Sequence, residues 1–333
     1  MADKLLRGGI IGCGFFAQFH IDAWRRMHGV ALVTACDPDL SRAVSAAPRA
    51  YQTAEEMLDR ESLDFVDIAT RPETHFELVR LATSRGIPVI CQKPLAPTAS
   101  ESAAVARLAS ESGVRVMVHE NWRWQPWYRA VKRLIADGAV GRPLTYRIRT
   151  VKPDGYGPDA YPTQPYFRDY RRLILFETMI HHLDTARFLF GDVAWLYAQA
   201  RRNNPLIQGE DEAHVMLTHT SGLIGAADGH RFLDTDETGP AMGEAWFEGE
   251  GGVLHVAGSG HVRRAGHMLW ENTIPEGYRG DSVKATQEHF IHCLRTGEEF
   301  ESEVREYLKT IALVEAAYTS IDSRAAVEPR VPD

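Results

Sequence analysis

A glutamate, a histidine and an aspartate share one short segment of the sequence at the spacing of a helix face. In the segment 177–184, Glu177, His181 and Asp184 stand at positions i, i+4 and i+7, which lie on one side of an α-helix. Because histidine titrates near neutral pH, His181 could take a proton from a hydroxyl group while a neighbouring carboxylate orients its ring. We therefore predict that Glu177 and His181 are catalytic residues.

Two other interpretations of this segment stay open. Glutamate, histidine and aspartate are also metal ligands. No further histidine or cysteine stands at a recognisable ligand spacing, so we predict no metal. The three residues could also be ordinary buried polar groups of a protein core.

A lysine stands at the end of a predicted strand. Lys93 lies in the segment 91–95 and is one of six lysines among 37 basic residues. In a doubly wound sheet, ligands bind beyond the carboxyl ends of the strands. A lysine at such an end, followed by a proline that restricts the turn, is expected at a ligand site rather than in solvent. We predict that Lys93 is catalytic.

A glycine-rich turn follows the first predicted strand. Gly12, Gly14 and Ala17 form the pattern GxGxxA at the start of the first predicted helix, a position typical of dinucleotide binding. Gly12 allows the tight turn, Gly14 lets the backbone approach a pyrophosphate, and the helix N-terminus attracts phosphate. Asp37 ends the second predicted strand, at the spacing of a carboxylate that accepts a ribose 2′-hydroxyl.

The carboxylate of Asp37 also bears on which dinucleotide binds. It would repel the 2′-phosphate of NADP, so NAD is favoured. Arg42 lies near enough in sequence to keep NADP as the less favoured alternative. The segment 37–39 could instead be a polar turn without a ligand.

The pattern of apolar residues differs before and after residue 122. Before residue 122, apolar runs alternate with helical periodicity, which predicts βα units and a doubly wound parallel sheet. The predicted strands are 8–11, 31–36, 65–69, 87–91 and 114–118, and the predicted helices are 16–27, 54–60, 73–84 and 99–110, the last with Thr98 and Glu101 as a capping box. After residue 122, a helix at 127–137 precedes strands that alternate apolar and polar residues.

That alternation predicts a mainly antiparallel sheet with one wet face. Its strands are expected at 144–151, 194–200, 213–218, 223–227, 244–248 and 253–257, followed by helices at 282–294 and 302–318. The fold class is therefore α/β, an N-terminal Rossmann-type sheet plus a C-terminal α+β domain with a large sheet. We predict a first domain at 1–122 and a second at 123–333.

Composition excludes several classes of protein. The 333 residues are 44% hydrophobic and 25% charged, which is typical of a globular chain. A net charge of −8 argues against nucleic-acid binding, which depends on clustered Lys and Arg. No apolar run approaches the ~20 residues of a membrane span, and the N-terminal residues lack an apolar signal core. We expect a cytoplasmic protein that contacts neither nucleic acid nor membrane.

Taken together, these motifs resemble the Gfo/Idh/MocA family. The resemblance rests on the glycine turn, Lys93, the segment 121–126 and the Glu177 segment, and it runs from Gly8 to the last predicted helices. Residues 69–75 look like the family's TPxxxH segment, and residues 92–94 look like its EKP signature. The resemblance implies a Rossmann domain that binds NAD or NADP, and a C-terminal sheet that pairs between subunits in a homodimer or homotetramer.

The residues and the resemblance together predict a cofactor site and a substrate site. The cofactor residues are Gly12, Gly14, Phe15, Phe16, Asp37, Thr70, Pro72, His75, Gln92, Lys93 and Asn121. The substrate residues are Lys93, Arg123, Trp124, Arg168, Glu177, His181 and Asp184.

Three departures from the family pattern affect the substrate. Gln92 replaces the usual glutamate, and Glu177 replaces an aspartate. The run 171–175 replaces a glycine-rich stretch, which implies a reshaped substrate mouth.

The resulting hypothesis is an NAD-dependent dehydrogenase of a small sugar or cyclic polyol. The segment 119–127 also looks similar to family members that act on pentoses such as apiose. Either His181 or Lys93 would accept the hydroxyl proton, and Glu177 would orient the pair. Two alternatives remain: an NAD-dependent glycoside hydrolase on the same fold, and a cofactor-bound regulator without catalysis.

Overall fold

The computed structural model describes residues 4–233, 239–274 and 276–333, and the chain forms two compact units. The first unit comprises Met1–Asn121, Val283–Leu308 and Pro332–Asp333. The second comprises Trp122–Ser282 and Lys309–Val331. In the described ranges, no helix is long and apolar enough to cross a membrane.

The first unit contains a six-stranded parallel sheet. Its strands are β1 (Leu6–Ile11), β2 (Val30–Cys36), β3 (Arg49–Tyr51), β4 (Phe65–Ile68), β5 (Val89–Gln92) and β6 (Val116–His119). Their order is β3-β2-β1-β4-β5-β6, and each neighbouring pair is parallel. This is the doubly wound order, which confirms the predicted fold class. The prediction missed β3 because three residues are too few to show a period.

Five helices connect these strands in the described part of the first 121 residues. They are α1 (Ala17–Arg25), α2 (Leu40–Ala46), α3 (Ala54–Arg60), α4 (His75–Thr83) and α5 (Ala99–Ser112). The Thr98 hydroxyl accepts a hydrogen bond from the Glu101 N–H at 3.2 Å, which confirms the predicted cap of α5. Helix α2 was not predicted. It is short, and Asp39 caps it by accepting from the Ser41 N–H.

The second unit contains an eight-stranded mixed sheet. Its strands are β7 (Pro143–Val151), β8 (Val193–Arg201), β9 (Glu212–His219), β10 (Ile224–His230), β11 (Gly243–Gly249), β12 (Gly252–Val256), β13 (Val262–Arg264) and β14 (His267–Trp270). Their order is β14-β13-β12-β11-β7-β10-β9-β8. The pair β7 and β10 is parallel and the other pairs are antiparallel, so the predicted mainly antiparallel sheet is confirmed. The short strands β13 and β14 were not predicted.

The remaining α-helices are α6 (Pro126–Ala136), α7 (Ile180–Phe190), α8 (Ser282–Thr296) and α9 (Val304–Ser323). A π-helical segment, Ile174–Met179, directly precedes α7. The prediction that one α-helix carries both Glu177 and Asp184 is therefore wrong, because Glu177 lies in the wider turn of the π-helical segment.

The last part of the chain contributes to the first unit, which differs from the predicted two-part division. Phe290 and Phe300 lie in one buried cluster with Trp24 and Phe65. The rings of Phe65 and Phe290 are 5.6 Å apart. These apolar side chains fill a face of the parallel sheet, and burial of that area holds Val283–Leu308 in the first unit.

Candidate active site

The glycine-rich turn between β1 and α1 leaves room for a ligand. Gly12 has a φ of +91°, and a Cβ there would lie 2.8 Å from the Ala69 carbonyl oxygen, so this position requires glycine. A Cβ on Gly14 would meet nothing within 4 Å, so the space over that residue is open. The next residue, Phe15, is exposed, and Phe16 is the N-cap of α1, where its ring offers no hydrogen bond to the first turn.

Asp37 holds the glycine turn through its carboxylate. One carboxylate oxygen accepts a hydrogen bond from the Cys13 N–H at 2.8 Å, and the other accepts from the Asp39 N–H at 2.9 Å. Asp37 is buried, although each oxygen retains a second lone pair for a ligand hydroxyl. The carboxylate is thus fixed at the carboxyl end of β2.

Two thiols near this turn are unreactive at neutral pH. Burial, and then the charge of Asp37, raise the pKa of the Cys13 thiol to about 12. Burial and Asp37 likewise raise the pKa of the Cys36 thiol to about 11. Because the thiolate is the reactive form, neither cysteine is a nucleophile at neutral pH.

The segment after β4 is anchored by a buried histidine. Nδ1 of His75 lies 3.1 Å from the Leu95 carbonyl oxygen, and Nε2 lies 3.2 Å from the Thr70 carbonyl oxygen. Burial lowers the pKa of His75 to about 4, against the opposing effect of these carbonyl groups. The buried Pro72 starts a 3-10 turn in the same segment. His75 is therefore neutral near pH 7, donates a hydrogen bond to one of these two carbonyl oxygens and packs against the other at the carboxyl edge of the sheet.

Gln92 and Lys93 lie at the end of β5 and are both nearly enclosed. The exposed fraction is 6% for Gln92 and 9% for Lys93. The Gln92 side-chain oxygen accepts a hydrogen bond from the Lys93 N–H at 2.6 Å. Asn121, just beyond the end of β6, is also buried. The predicted cofactor residues of the first unit thus follow the carboxyl ends of its strands.

This arrangement fits a nicotinamide dinucleotide. The open space over Gly14 beside the N-terminus of α1 suits a pyrophosphate. The carboxylate of Asp37 suits a free ribose 2′-hydroxyl and disfavours a 2′-phosphate, so the residues fit NAD.

In the second unit, Glu177 lies beside a buried arginine that the sequence analysis missed. Arg231 follows β10 directly, and its guanidinium pairs bidentately with Asp154 at 2.6 and 2.7 Å. The same guanidinium donates to the Thr178 hydroxyl at 2.7 Å and lies 3.6 Å from the Glu177 carboxylate. An arginine directly after a strand was the only available signal, and that signal is weak.

The carboxylate of Asp184 is paired with a different arginine, Arg123. Asp184 is fully buried on α7, and Arg123 donates two hydrogen bonds to its carboxylate at 2.6 and 2.8 Å. The Thr310 hydroxyl donates a third at 2.9 Å. The structure thus brings together two predicted substrate residues, Arg123 and Asp184, as partners of each other.

The other predicted substrate residues of this unit, His181, Trp124 and Arg168, make separate contacts. His181 is buried on α7, and its ring stacks on Trp122 with a centroid distance of 4.7 Å. The Trp124 ring stacks on the Arg129 guanidinium. Arg168 donates to the Ala160 carbonyl oxygen at 2.6 Å. Among the described residues, no group of three or more His, Cys, Asp or Glu side chains could hold a metal ion.

Family models match both units of the chain. Residues 6–120 match the Gfo/Idh/MocA model described as an oxidoreductase family with an NAD-binding Rossmann fold. Residues 128–255 match the Gfo/Idh/MocA C-terminal domain.

Several known proteins are similar over almost the whole chain. The D-apiose dehydrogenase of Paraburkholderia graminis is 39% identical over 98% of this chain and 90% of its own length. The D-apiose dehydrogenase of Rhizobium rhizogenes is 34% identical over 97% of each chain. A crystal structure of an oxidoreductase from Agrobacterium radiobacter, in complex with NAD+, L-tartaric acid and magnesium, is 34% identical with a TM-score of 0.89 over 98% of each chain.

Proposed function

The chain belongs to the Gfo/Idh/MocA oxidoreductase family, and from that premise we propose that this NAD-dependent sugar dehydrogenase oxidises D-apiose or a closely related pentose. The observation that carries the proposal is the similarity to two D-apiose dehydrogenases over at least 97% of the chain. The segment 119–127, with its aromatic residues and Arg123, is consistent with a pentose as substrate.

The chain's own residues would bind and deprotonate the sugar. NAD supplies the hydride acceptor, so the substrate must lose a hydroxyl proton when its C–H bond breaks. Two side chains are candidates for the proton acceptor, Lys93 and His181. Glu177, held beside the Arg231 cation, is the candidate orienting carboxylate.

Four further residues are proposed to contact the sugar. Trp124 offers a flat aromatic surface that suits the C–H face of a sugar, and Arg168 offers hydrogen bonds to hydroxyl groups. Arg123 and Asp184 already satisfy each other. A substrate contact by either would therefore come in addition to their ion pair.

We also propose that copies of this chain associate through the eight-stranded sheet. Trp195, Met216 and Ile224 lie on neighbouring strands and are 41, 54 and 49% exposed. A group of large apolar side chains on one open sheet face is typical of a protein interface.

The experiment that tests the substrate is a screen of the purified protein with NAD and with NADP. The sugars are D-apiose, other pentoses and hexoses, and myo-inositol represents cyclic polyols. We expect the highest kcat/KM for D-apiose with NAD, read as NADH formation. A preference for myo-inositol, or release of product from a nitrophenyl glycoside without net NADH, would contradict the proposal.

A further inference from the structure

A chain of buried hydrogen bonds runs from β4 to the backbone of Lys93. Asp67 on β4 and His20 on α1 are both fully buried. Nδ1 of His20 lies 2.8 Å from the Asp67 carboxylate, and Nε2 of His20 lies 2.9 Å from the Gln92 side-chain nitrogen. The Gln92 side-chain oxygen then accepts from the Lys93 N–H.

In this series of hydrogen bonds, each donor is identified from a neighbouring group that can only donate. The Lys93 N–H must donate, so the atom of Gln92 that faces it is the oxygen and the atom that faces His20 is the NH2 group. That NH2 group must also donate, so Nε2 of His20 accepts. A neutral imidazole carries one proton, which therefore sits on Nδ1 and is donated to Asp67.

Trp24 determines the direction of donation at the Asp67 end of this series of hydrogen bonds. Its indole N–H donates at 2.7 Å to the same Asp67 oxygen that faces His20, so this oxygen must be an acceptor. Both ends of the chain thus impose the same direction, from Gln92 through His20 to Asp67. An imidazolium at His20 would place an N–H against the Gln92 NH2 group, which the geometry disfavours.

The surroundings of His20 add few other charges. His119, at the end of β6, stacks its ring on His20 with a centroid distance of 4.1 Å. From α8, Gln287 donates to the His20 carbonyl oxygen and carries no charge. Asp67 is thus the charged group hydrogen-bonded to this imidazole among the described residues.

We propose that His20 and Asp67 are positioning residues for Lys93, which act by holding the Gln92 amide in one orientation. The inference rests on the proposed role of Lys93. It also explains why a glutamine stands where the family has a glutamate. A carboxylate at position 92 would accept from the Lys93 N–H but would face the lone pair of His20 Nε2, so His20 would need a second proton.

The first test needs no substitution and no cofactor. In protein labelled with 15N-histidine, we expect the His20 ring to give the Nδ1–H tautomer signature in NMR spectra at neutral pH, with an unprotonated Nε2. An Nε2–H tautomer or an imidazolium signature at neutral pH overturns the proposal.

The second test uses Gln92→Glu and Asp67→Asn. We expect Gln92→Glu to convert His20 to the imidazolium at neutral pH, and the added Asp67→Asn substitution to lower the pH at which that proton is lost. Asp67→Asn alone is the conservative control. Its side-chain oxygen can still accept from His20 and Trp24, so the Nδ1–H tautomer should persist. An unprotonated Nε2 in Gln92→Glu at neutral pH contradicts the proposal.

The third test asks whether the series of hydrogen bonds from Asp67 to Gln92 acts through Lys93. Above the pH at which His20 of Gln92→Glu loses its second proton, we expect kcat to fall about tenfold to hundredfold, because Lys93 is displaced. The same substitution in a Lys93→Met background should cause no further fall. An equal fall in both backgrounds overturns the positioning role. If Lys93→Met alone retains native turnover, the proposed function of Lys93 fails, while the tautomer result stands.

Discussion

At the scale of single residues, Lys93 is unusual because a lysine with 9% exposure is rare in a protein surface loop. Its backbone N–H donates to the side-chain oxygen of the neighbouring Gln92, and it follows β5 at the edge of the sheet where the predicted cofactor residues lie. Under the proposed function, Lys93 would act either as an acid–base group or as a fixed charge near the reacting hydroxyl.

We expect Lys93→Met to lower kcat by about 10²- to 10⁴-fold, the range of a general acid–base contribution. Binding of NADH, followed by its fluorescence, should change little, because methionine retains the length of the side chain. Lys284→Met is the matched control, since Lys284 lies on α8 in a partly exposed pair with Glu288. Unchanged turnover in Lys93→Met would exclude a catalytic role for this residue.

At the scale of elements, Arg231 links three pieces of the second unit: the end of β10, the π segment and the loop that follows β7. Burial raises the pKa of Asp154, but the hydrogen bonds and charge of Arg231 outweigh it, so the pKa lies below its ordinary value. The carboxylate is thus ionised and the pair is a true ion pair. It holds the loop against the segment that carries Glu177.

We expect Arg231→Met to destabilise the protein by about 1.5–3 kcal/mol, because Asp154 loses the two charged hydrogen bonds from the buried guanidinium and keeps only its pair with Lys152. KM for the sugar should rise as well, since Glu177 loses a neighbouring cation. Urea unfolding and steady-state kinetics measure the two effects. Arg142→Met removes the arginine of an exposed pair with Glu250 and should cost at most about 1 kcal/mol. Equal losses in the two variants would contradict the structural role of Arg231.

The loop between β4 and α4 depends on His75 in a pH-dependent way. The pKa of His75 is lowered to about 4 by burial, whereas an unfolded chain has the ordinary value near 6.5. Between these values the unfolded state binds more protons, so stability falls as pH decreases from about 6.5 to about 4. The contribution is complete above pH 6.5 and amounts to roughly 3 kcal/mol over the window.

We expect the difference in unfolding free energy between the native protein and His75→Gln to be largest at pH 7.5. At pH 4.5 it should shrink by roughly 2.5 kcal/mol, because glutamine does not titrate. Urea unfolding at both pH values measures it. His28→Gln, at an exposed position, controls for the loss of one imidazole. A difference that does not vary with pH would refute the assignment.

At the scale of the whole molecule, the large sheet has one buried and one open face. Leu196, Val215 and Ala227 are buried on one side, whereas Trp195, Met216 and Ile224 are exposed on the other. This alternation follows directly from the two-residue period of a strand. The exposed apolar group is therefore available for contact with a second copy.

We expect Met216→Glu to lower the molar mass measured by light scattering, because a carboxylate in an apolar interface is costly to bury. Leu206→Glu places the same charge at another exposed apolar position, outside the sheet, and should leave the mass unchanged. A native protein that is already monomeric, or a Met216→Glu variant of native mass, would contradict association through this face.

The sequence alone determined the features that depend on residues near one another in the chain. Gly12, Gly14 and Asp37 lie within one βαβ unit, so their spacing predicted the NAD site directly. Alternation and helical periodicity likewise predicted most strands and helices, since burial of one face imposes a regular period. The elements that were missed include β3, α2, β13 and β14, which gave too little pattern.

Tertiary structure decided the pairings between distant residues. Gln92 meets His20 across 72 positions, and Arg231 meets Thr178 across 53, because the order of the strands and helices brings these segments together. The same holds for Phe290, which joins the first unit through packing with Phe65. The π segment also escaped prediction, since its apolar and polar residues fit an α-helical period. Contacts between distant residues leave no periodic pattern in the sequence, because they arise only when separate elements pack against one another.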